Sequence, residues 1–176
     1  QVGKSIGSYW LYNNQGIYNT DSDVPDGLTF NGIPFKAGDA KWRDVDGNNR
    51  VDNKDKILVG DRLPKFIGGW NNNFTVKSFD LNFNFIFATG HKILNQYDAT
   101  RYGFINREAG NDIFSVKEVS SWQMNEDQKE YPIFNPWSDV NPYRIDQDMF
   151  LEDASYLKLR SVTLGYDFKN AKIFNK

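Results

Sequence analysis

At 176 residues with a net charge of −2, the chain is long enough for one ordinary domain with a real core, and it lacks the clustered basic surface of a nucleic-acid binder. It contains no cysteine, which excludes a disulfide frame, a thiol nucleophile and a cysteine-type zinc cluster. No stretch approaches the roughly 20 apolar residues of a membrane-spanning helix, and the opening QVGKSIGSYW lacks the basic and apolar regions of a signal peptide, so any membrane role falls to strands. Aromatic residues make up 16% of the chain while mean hydropathy stays at −0.65. Aromatics spread among Asn, Asp and Gly favour strands and polar loops over helices, because aromatic rings suit a pleated surface and the small polar residues punctuate it.

In chain order, Ser5 to Tyr12 followed by Asn13-Asn14-Gln15-Gly16 reads as a strand end turning into a loop. Tyr9, Trp10 and Tyr12 suit an aromatic rim, although a core position is the default for any one such ring. The run Asp44 to Asp55, DVDGNNRVDNKD, then places oxygen donors at the alternating offsets that a hard cation requires. With Asp44 as position one, Asp46 is three, Asn48 five, Arg50 seven through its carbonyl, Asp52 nine and Asp55 twelve. The spacing predicts a local calcium loop with a structural ion. It departs from an EF-hand loop at position six, where Asn49 replaces glycine, and at position twelve, where Asp55 replaces glutamate. Asparagine tolerates the left-handed backbone that the turn needs. Neither flank reads as an amphipathic helix, so the expectation is an isolated loop; the competing reading is an acidic surface turn.

From Phe66 to Lys77, Phe66, Trp70, Phe74 and Val76 share one parity, and from Asp80 onward Leu81, Phe83, Phe85 and Phe87 share another, with asparagines opposite. This predicts a hairpin turning at Ser78-Phe79, with Lys77 facing Asp80, Val76 facing Leu81, Phe74 facing Phe83 and Trp70 facing Phe87. Asn72 falls on the apolar face as a misfit. Strands of about ten residues suit a tilted crossing of a hydrocarbon layer, and equally a long strand of a soluble sandwich.

Between Gly90 and Asp153 lie some 60 residues with little periodicity, in which Ile113 to Met124 is the candidate for a short helix and Tyr97, Tyr102, Trp122 and Trp137 are candidates for sugar stacking or packing. Such a connection is anomalous in a compact domain. Short turns at one end and long loops at the other are the asymmetry of an outer-membrane barrel. Tyr156 to Phe168 alternates again, with Val162, Leu164, Tyr166 and Phe168 on one face, but Leu157 to Arg160 alternates in the opposite sense; that half is expected to emerge beyond the apolar zone. The lone His91 and the adjacent Glu152 and Asp153 offer no catalytic pairing, so no enzyme is expected.

The segments GKSIGSYWLYNNQGIY, FKAGDAKWRDVDGNNRVDNKDKILVGDRLPKFIGGWNNNFTVKSFDLNFNFIF and FLEDASYLKLRSVTLGYDF occur in an order and spacing that resembles the C-terminal part of SusC/RagA family proteins, TonB-dependent outer-membrane transporters of Bacteroidetes. The resemblance covers most of residues 1–176, apart from a variable middle around Glu108 to Tyr143. It implies an all-β fold, antiparallel strands forming part of a 22-stranded transmembrane β-barrel with long extracellular loops. It also implies an N-terminal plug that engages TonB, a SusD-like surface lipoprotein as partner, a lipid bilayer around the strands, and a glycan or peptide nutrient as cargo. Plug, TonB-interacting segment and most strands lie outside this sequence, and Lys176 is not the aromatic ending usual for such barrels. The alternative reading is a soluble secreted β-domain that binds carbohydrate and uses calcium to order a loop.

Overall fold

The computed structural model describes residues 3–105, 121–125, 131–133 and 140–168. In chain order the strands are β1 (Ser8–Leu11), β2 (Asn14–Ile17), β3 (Thr29–Phe30), β4 (Ile33–Pro34), β5 (Ala40–Trp42), β6 (Arg50–Val51) and β7 (Ile57–Asp61). Then follow β8 (Phe66–Val76), β9 (Phe79–Thr89), β10 (Lys92–Leu94), the helix α1 (Gln96–Ile105), β11 (Leu151–Asp153) and β12 (Tyr156–Tyr166). Most pairings are antiparallel, which agrees with the all-β expectation; β3 with β6 is parallel. The fold divides into two compact units, Gln1–Gly60 with Ile93–Glu152, and Asp61–Lys92 with Asp153–Lys176.

The second unit is a three-stranded antiparallel sheet in the order β12-β9-β8, each strand 11 residues long. At about 3.3 Å per residue each strand extends roughly 35 Å. The expected hairpin is present, but its register differs from the reading by two residues: Val76 pairs with Phe79, Phe74 with Leu81, Asn72 with Phe83, Trp70 with Phe85 and Gly68 with Phe87. The turn is therefore Lys77-Ser78, with Lys77 at a φ of 56°, the left-handed backbone that tight hairpin turns take at their first residue. Lys77 does not face Asp80; Thr75 does, and its hydroxyl lies 2.7 Å from Asp80 Oδ1. A slip of two preserves the faces, so the apolar parity stands even though each individual pair changes. Gly68 has a local reason in this register: a Cβ there would lie 2.6 Å from the Phe87 ring, which lies over it.

β12 corrects a second expectation. Leu157 pairs with Phe87 and Leu159 with Phe85, the register shifts between Leu159 and Ser161, and Val162 then pairs with Phe83, Leu164 with Leu81 and Tyr166 with Phe79. The change of parity at Arg160 is a β-bulge, not a strand leaving the apolar zone. Leu159 and Val162 both belong to the apolar face, so the two residues between them, Arg160 and Ser161, both belong to the polar face. A regular strand would place Leu157 and Leu159 on the polar face; one disrupted ladder bond, worth roughly 1 kcal/mol, keeps both on the face of Phe85 and Phe87. One face consequently runs apolar across all three strands and is open: Trp70 is 61% exposed, Leu157 71% and Leu164 71%. The other carries Asn71 across from Asn84 and Asn73 across from Asn82, flanked by Ser161 and Thr163.

The first unit is built differently. Its strands are two to five residues long, and β2 pairs with β5, β1 with β7, and β3 with both β4 and β6. They enclose a core of Tyr12, Tyr18, Leu28, Phe30, Phe35, Trp42, Val51 and Val140. Tyr12 stacks on Trp42 with ring centroids 5.4 Å apart and is 2% exposed, so it is a core ring and no rim residue. Val140 belongs to the later segment, and the two segments are stitched at the backbone, where Tyr12 N donates to the Asp146 carbonyl at 3.0 Å and Asp148 N to the Tyr12 carbonyl at 3.0 Å. Gln147, 0% exposed, fills this seam: its Oε1 accepts from Trp42 Nε1 and Asn14 Nδ2, both at 2.9 Å, and its Nε2 donates to the Pro142 and Arg144 carbonyls at 2.7 and 2.9 Å. Trp122, a candidate for sugar stacking or for packing, is buried; a Cβ on Gly38 would lie 2.5 Å from its ring. The helix α1 stands where no helix is expected; Asn95 precedes it as a cap, its Oδ1 accepting from Asp98 N at 3.1 Å. The expected helix at 113–124 and Trp137 fall mainly or wholly outside the described residues.

Because the bulge alone reconciles the two halves of β12, deleting Arg160 from the full-length protein is expected to preserve both faces and fold, whereas deleting Thr163 splits the apolar set between faces. Thermal unfolding followed by far-ultraviolet circular dichroism checks this; equal loss of stability in both deletions would contradict the assignment of the bulge.

Candidate metal centre

The loop 44–55 leaves β5 and ends in a single 3-10 turn, Asn53–Asp55, with no helix on either side. Its conformation is set by side chains turning back on their own backbone, the habit that makes Asp and Asn turn formers. Asp44 accepts from Gly47 N through Oδ1 and from Asn49 N through Oδ2, each at 2.8 Å. Asp46 Oδ1 accepts from Asn48 N at 3.3 Å, and Asn48 Oδ1 from Arg50 N at 2.8 Å. Asn49 takes a φ of 59°, the left-handed turn expected at position six. Arg50 then enters β6 opposite Thr29, which ties the second half of the loop to a parallel pair.

Asp55, the residue at position twelve, is 0% exposed. Its Oδ1 accepts from Val45 N at 2.8 Å and its Oδ2 from Asp52 N at 2.7 Å, so it joins the two ends of the loop. Carboxylate oxygens of Asp44, Asp46 and Asp55 all lie within 4.8 Å of one another. Asp52 stands outside that trio and caps the 3-10 turn, its Oδ1 accepting from Lys54 N at 2.8 Å. Three of the six expected ligands thus converge through their side chains. Donor chemistry fits a hard cation, all of it oxygen, with one carboxylate fully buried and held by backbone N–H groups. Asp44 and Asp46 remain open to solvent, which leaves a path of entry.

Sequence reasoning missed the charged clamp beside this loop. Lys56 Nζ lies 2.9 Å from Asp146 Oδ2, and Arg144 holds the same carboxylate with Nε at 2.8 Å from Oδ1 and Nη2 at 2.8 Å from Oδ2. The Arg144 guanidinium also lies 4.6 Å from the Phe30 ring centroid, a cation over an aromatic face. Burial by itself would raise the Asp146 pKa, but the hydrogen bonds from Arg144 and Lys56 outweigh it and hold the carboxyl down at about 2. Burial pushes the Tyr18 hydroxyl up to about 12 and raises the Asp39 carboxyl, which accepts from Lys36 N at 2.9 Å. Arg-x-Asp is too common a spacing to have flagged the clamp, since its third member lies far away at Lys56.

Two of the residues considered for catalysis, Glu152 and Asp153, have structural partners. Glu152 accepts from Asn95 Nδ2 at 2.7 Å and Asp153 from Ser155 N at 2.8 Å, while His91 lies half-buried with its ring 6.4 Å from that of Tyr156.

No family model matches the chain. Over 94% of its length it is 28% identical to TonB-dependent receptor P3 of Formosa agariphila, of which it spans 15%. It is 25% identical over its whole length to TonB-dependent receptor P39 of the same organism, spanning 20% of that protein. To TonB-dependent receptor P26 it is 26% identical over 76% of its length, spanning 13%. The chain is therefore similar, over most of its residues, to a small part of much longer proteins named as TonB-dependent receptors.

The Asp146 clamp has a pH signature. A carboxylate with its folded pKa held below the ordinary 3.8 contributes stability that is complete above that value and is lost as pH falls toward about 2. The loss is expected to be about 1–2 kcal/mol once solvent screening is allowed for, and D146N flattens it. Asp39, raised by burial, works with the opposite sign. Denaturant unfolding of both proteins across that acid window is the measurement.

Proposed function

We propose that this chain is a C-terminal segment of the barrel of a TonB-dependent outer-membrane importer of the SusC/RagA type. Its three long strands form part of a wall of 22 strands, and the first unit forms external loops. The single observation that carries this reading is the sheet β12-β9-β8, with one face apolar but for Asn72 and the other carrying paired asparagines, Thr75, Ser161 and Thr163, on strands of 11 residues. A tilted strand of 9–11 residues spans the hydrocarbon layer. Apolar side chains then face lipid and the asparagines face the lumen. The tight turn at Lys77-Ser78 and the excursion of about 60 residues between β9 and β12 give the short-turn and long-loop ends of such a wall. The whole protein would carry an oligosaccharide or peptide, draw energy from TonB through a plug domain, and work with a SusD-like lipoprotein over its outer mouth. The names of the relatives support this over a soluble carbohydrate-binding β-domain.

The loop 44–55 takes a structural calcium ion in this reading. Asp44, Asp46 and Asp55 supply carboxylates, and Asn48, the Arg50 carbonyl and Asp52 are the remaining candidate donors. The ion offsets repulsion among carboxylates and stiffens an external loop; it activates no water and takes part in no reaction.

Expressed from its full gene in a Gram-negative host, the protein is expected in the outer-membrane fraction, with faster gel migration unboiled than boiled. Recovery as a soluble monomer without detergent would sink the proposal. For the ion, calcium is expected to raise the melting temperature reversibly, equivalent to about 2.7 kcal/mol at a hundredfold excess over Kd, and D44A or D55A removes the increment. A melting temperature indifferent to chelation contradicts the calcium site.

A further inference from the structure

The face of β12-β9-β8 that carries the asparagines changes character along its length. Toward the tight turn it holds Asn71 with Asn84, Asn73 with Asn82 and Thr75 with Asp80. At the other end the same parity brings Ile67 and Tyr156 to either side of Ala88, and Gly69 and Lys158 to either side of Ile86. Ile67 is 75% exposed and Tyr156 46%. An aliphatic and aromatic patch thus lies on the side of the sheet that the amides share, the side turned away from lipid in a barrel wall.

Two cations border this patch. Lys158 belongs to its parity, and the bulge adds Arg160 to the same face as the extra residue between Leu159 and Ser161, beside Asn84. Among the described residues neither forms an ion pair. The acid on this face, Asp80, accepts the Thr75 hydroxyl at 2.7 Å and lies four residues from Asn84 along β9, about 13 Å away. The sheet therefore offers Lys158 and Arg160 no counter-charge within reach. Exposed apolar side chains bordered by tyrosine and arginine are the make-up of a contact with another folded protein segment.

We propose that this patch docks an acidic segment of the plug, which sets a carboxylate against Lys158 and Arg160 and apolar side chains against Ile67, Ile86 and Tyr156. The inference rests on the barrel reading, in which this face lines the lumen and a wall of 22 strands encloses a plug. The receptors of which this chain spans 13% to 20% have the length to supply one. Depth selects the plug over a lid across the outer mouth: Arg160 stands four residues past Tyr156, about 13 Å along the strand toward the tight turn. Arg160 takes the carboxylate through its planar fork and Lys158 as a point charge.

The test treats the full-length protein, in detergent, with a water-soluble carbodiimide, which joins an amine to a carboxylate only where the two already touch, and maps the joined peptides by mass spectrometry. Lys158 is expected to couple to an aspartate or glutamate of the plug, with the yield falling as salt rises. K158R is expected to lose that link, since a guanidinium does not couple, and R160K to gain a second link to the same plug segment. In planar bilayers K158Q/R160Q is expected to pass current at lower urea than the parent, because its plug is held less firmly. Lys158 left uncoupled, coupling to a carboxylate of the barrel or of a lipoprotein partner, or an unchanged urea response in K158Q/R160Q overturns the proposal. An inserted barrel whose Lys158 stays uncoupled sinks this inference alone, whereas a protein recovered soluble without detergent sinks the barrel reading and this inference with it.

Discussion

An antiparallel sheet whose one face is apolar over three strands of 11 residues must have that face covered. This constraint orders the second unit. Phe83 and Phe85 sit on the central strand between partners on both sides, with Phe74 stacked on Phe83 at 5.7 Å and Trp70 on Phe85 at 6.2 Å. The bulge at Arg160 serves the same end, because a regular strand there would have carried either two leucines or three apolar residues to the polar side. Keeping a guanidinium off the apolar face and keeping the leucines on it are one solution to one problem.

In the first unit, the same scarcity of regular ladders that makes it loop-like leaves many backbone groups to be met by side chains. Gln147 does most for the seam. An amide offers two donors and an acceptor with two lone pairs, and here all four places are filled, by two backbone carbonyls from its own segment and by Trp42 and Asn14 from the other. A hydrophobic isostere would strand Trp42 Nε1 in the core, and an unmet buried donor costs about 1–3 kcal/mol. Asp148 extends the seam, its Oδ1 accepting from Asn14 N and its Oδ2 from Asn13 Nδ2, both at 2.8 Å. The two segments thus share polar contacts as well as an aromatic core.

What the sequence made legible follows from range. The acidic loop was readable in outline, including the left-handed Asn49, because the side-chain hydrogen bonds of its carboxylates all fall within twelve residues. The faces of the hairpin were readable because parity is local, but the register was not: a slip of two leaves every parity intact, and only the identity of the turn residues separates Lys77-Ser78 from Ser78-Phe79. The bulge at Arg160 looked like a change of surroundings because a single strand does not display its partner's count of residues. Gln147, Trp122 and the Lys56–Asp146 clamp were invisible since their partners lie on distant segments. Asn72 remains a polar residue on the apolar face in the observed register as in the expected one, now opposite Phe83, and its Nδ2 is buried without a hydrogen-bond partner.

The acidic loop also bears on how much an ion is asked to do. Three carboxylates with oxygens within 4.8 Å repel one another, yet Asp44 and Asp55 each accept two backbone N–H groups, and those donors already oppose much of that repulsion. The hydrogen bonds that make the turn are the ones that aim the carboxylates inward, so turn and site are a single structure. A cation in this loop would therefore add to a conformation that the backbone specifies, not create it. Losing Asp55 is a different matter from losing the ion, because its carboxylate also joins Val45 to Asp52 across the base of the loop. Asp46, exposed and bonded only to Asn48 N, carries no such second duty, and so it is the position at which the contribution of charge separates most cleanly from that of the turn.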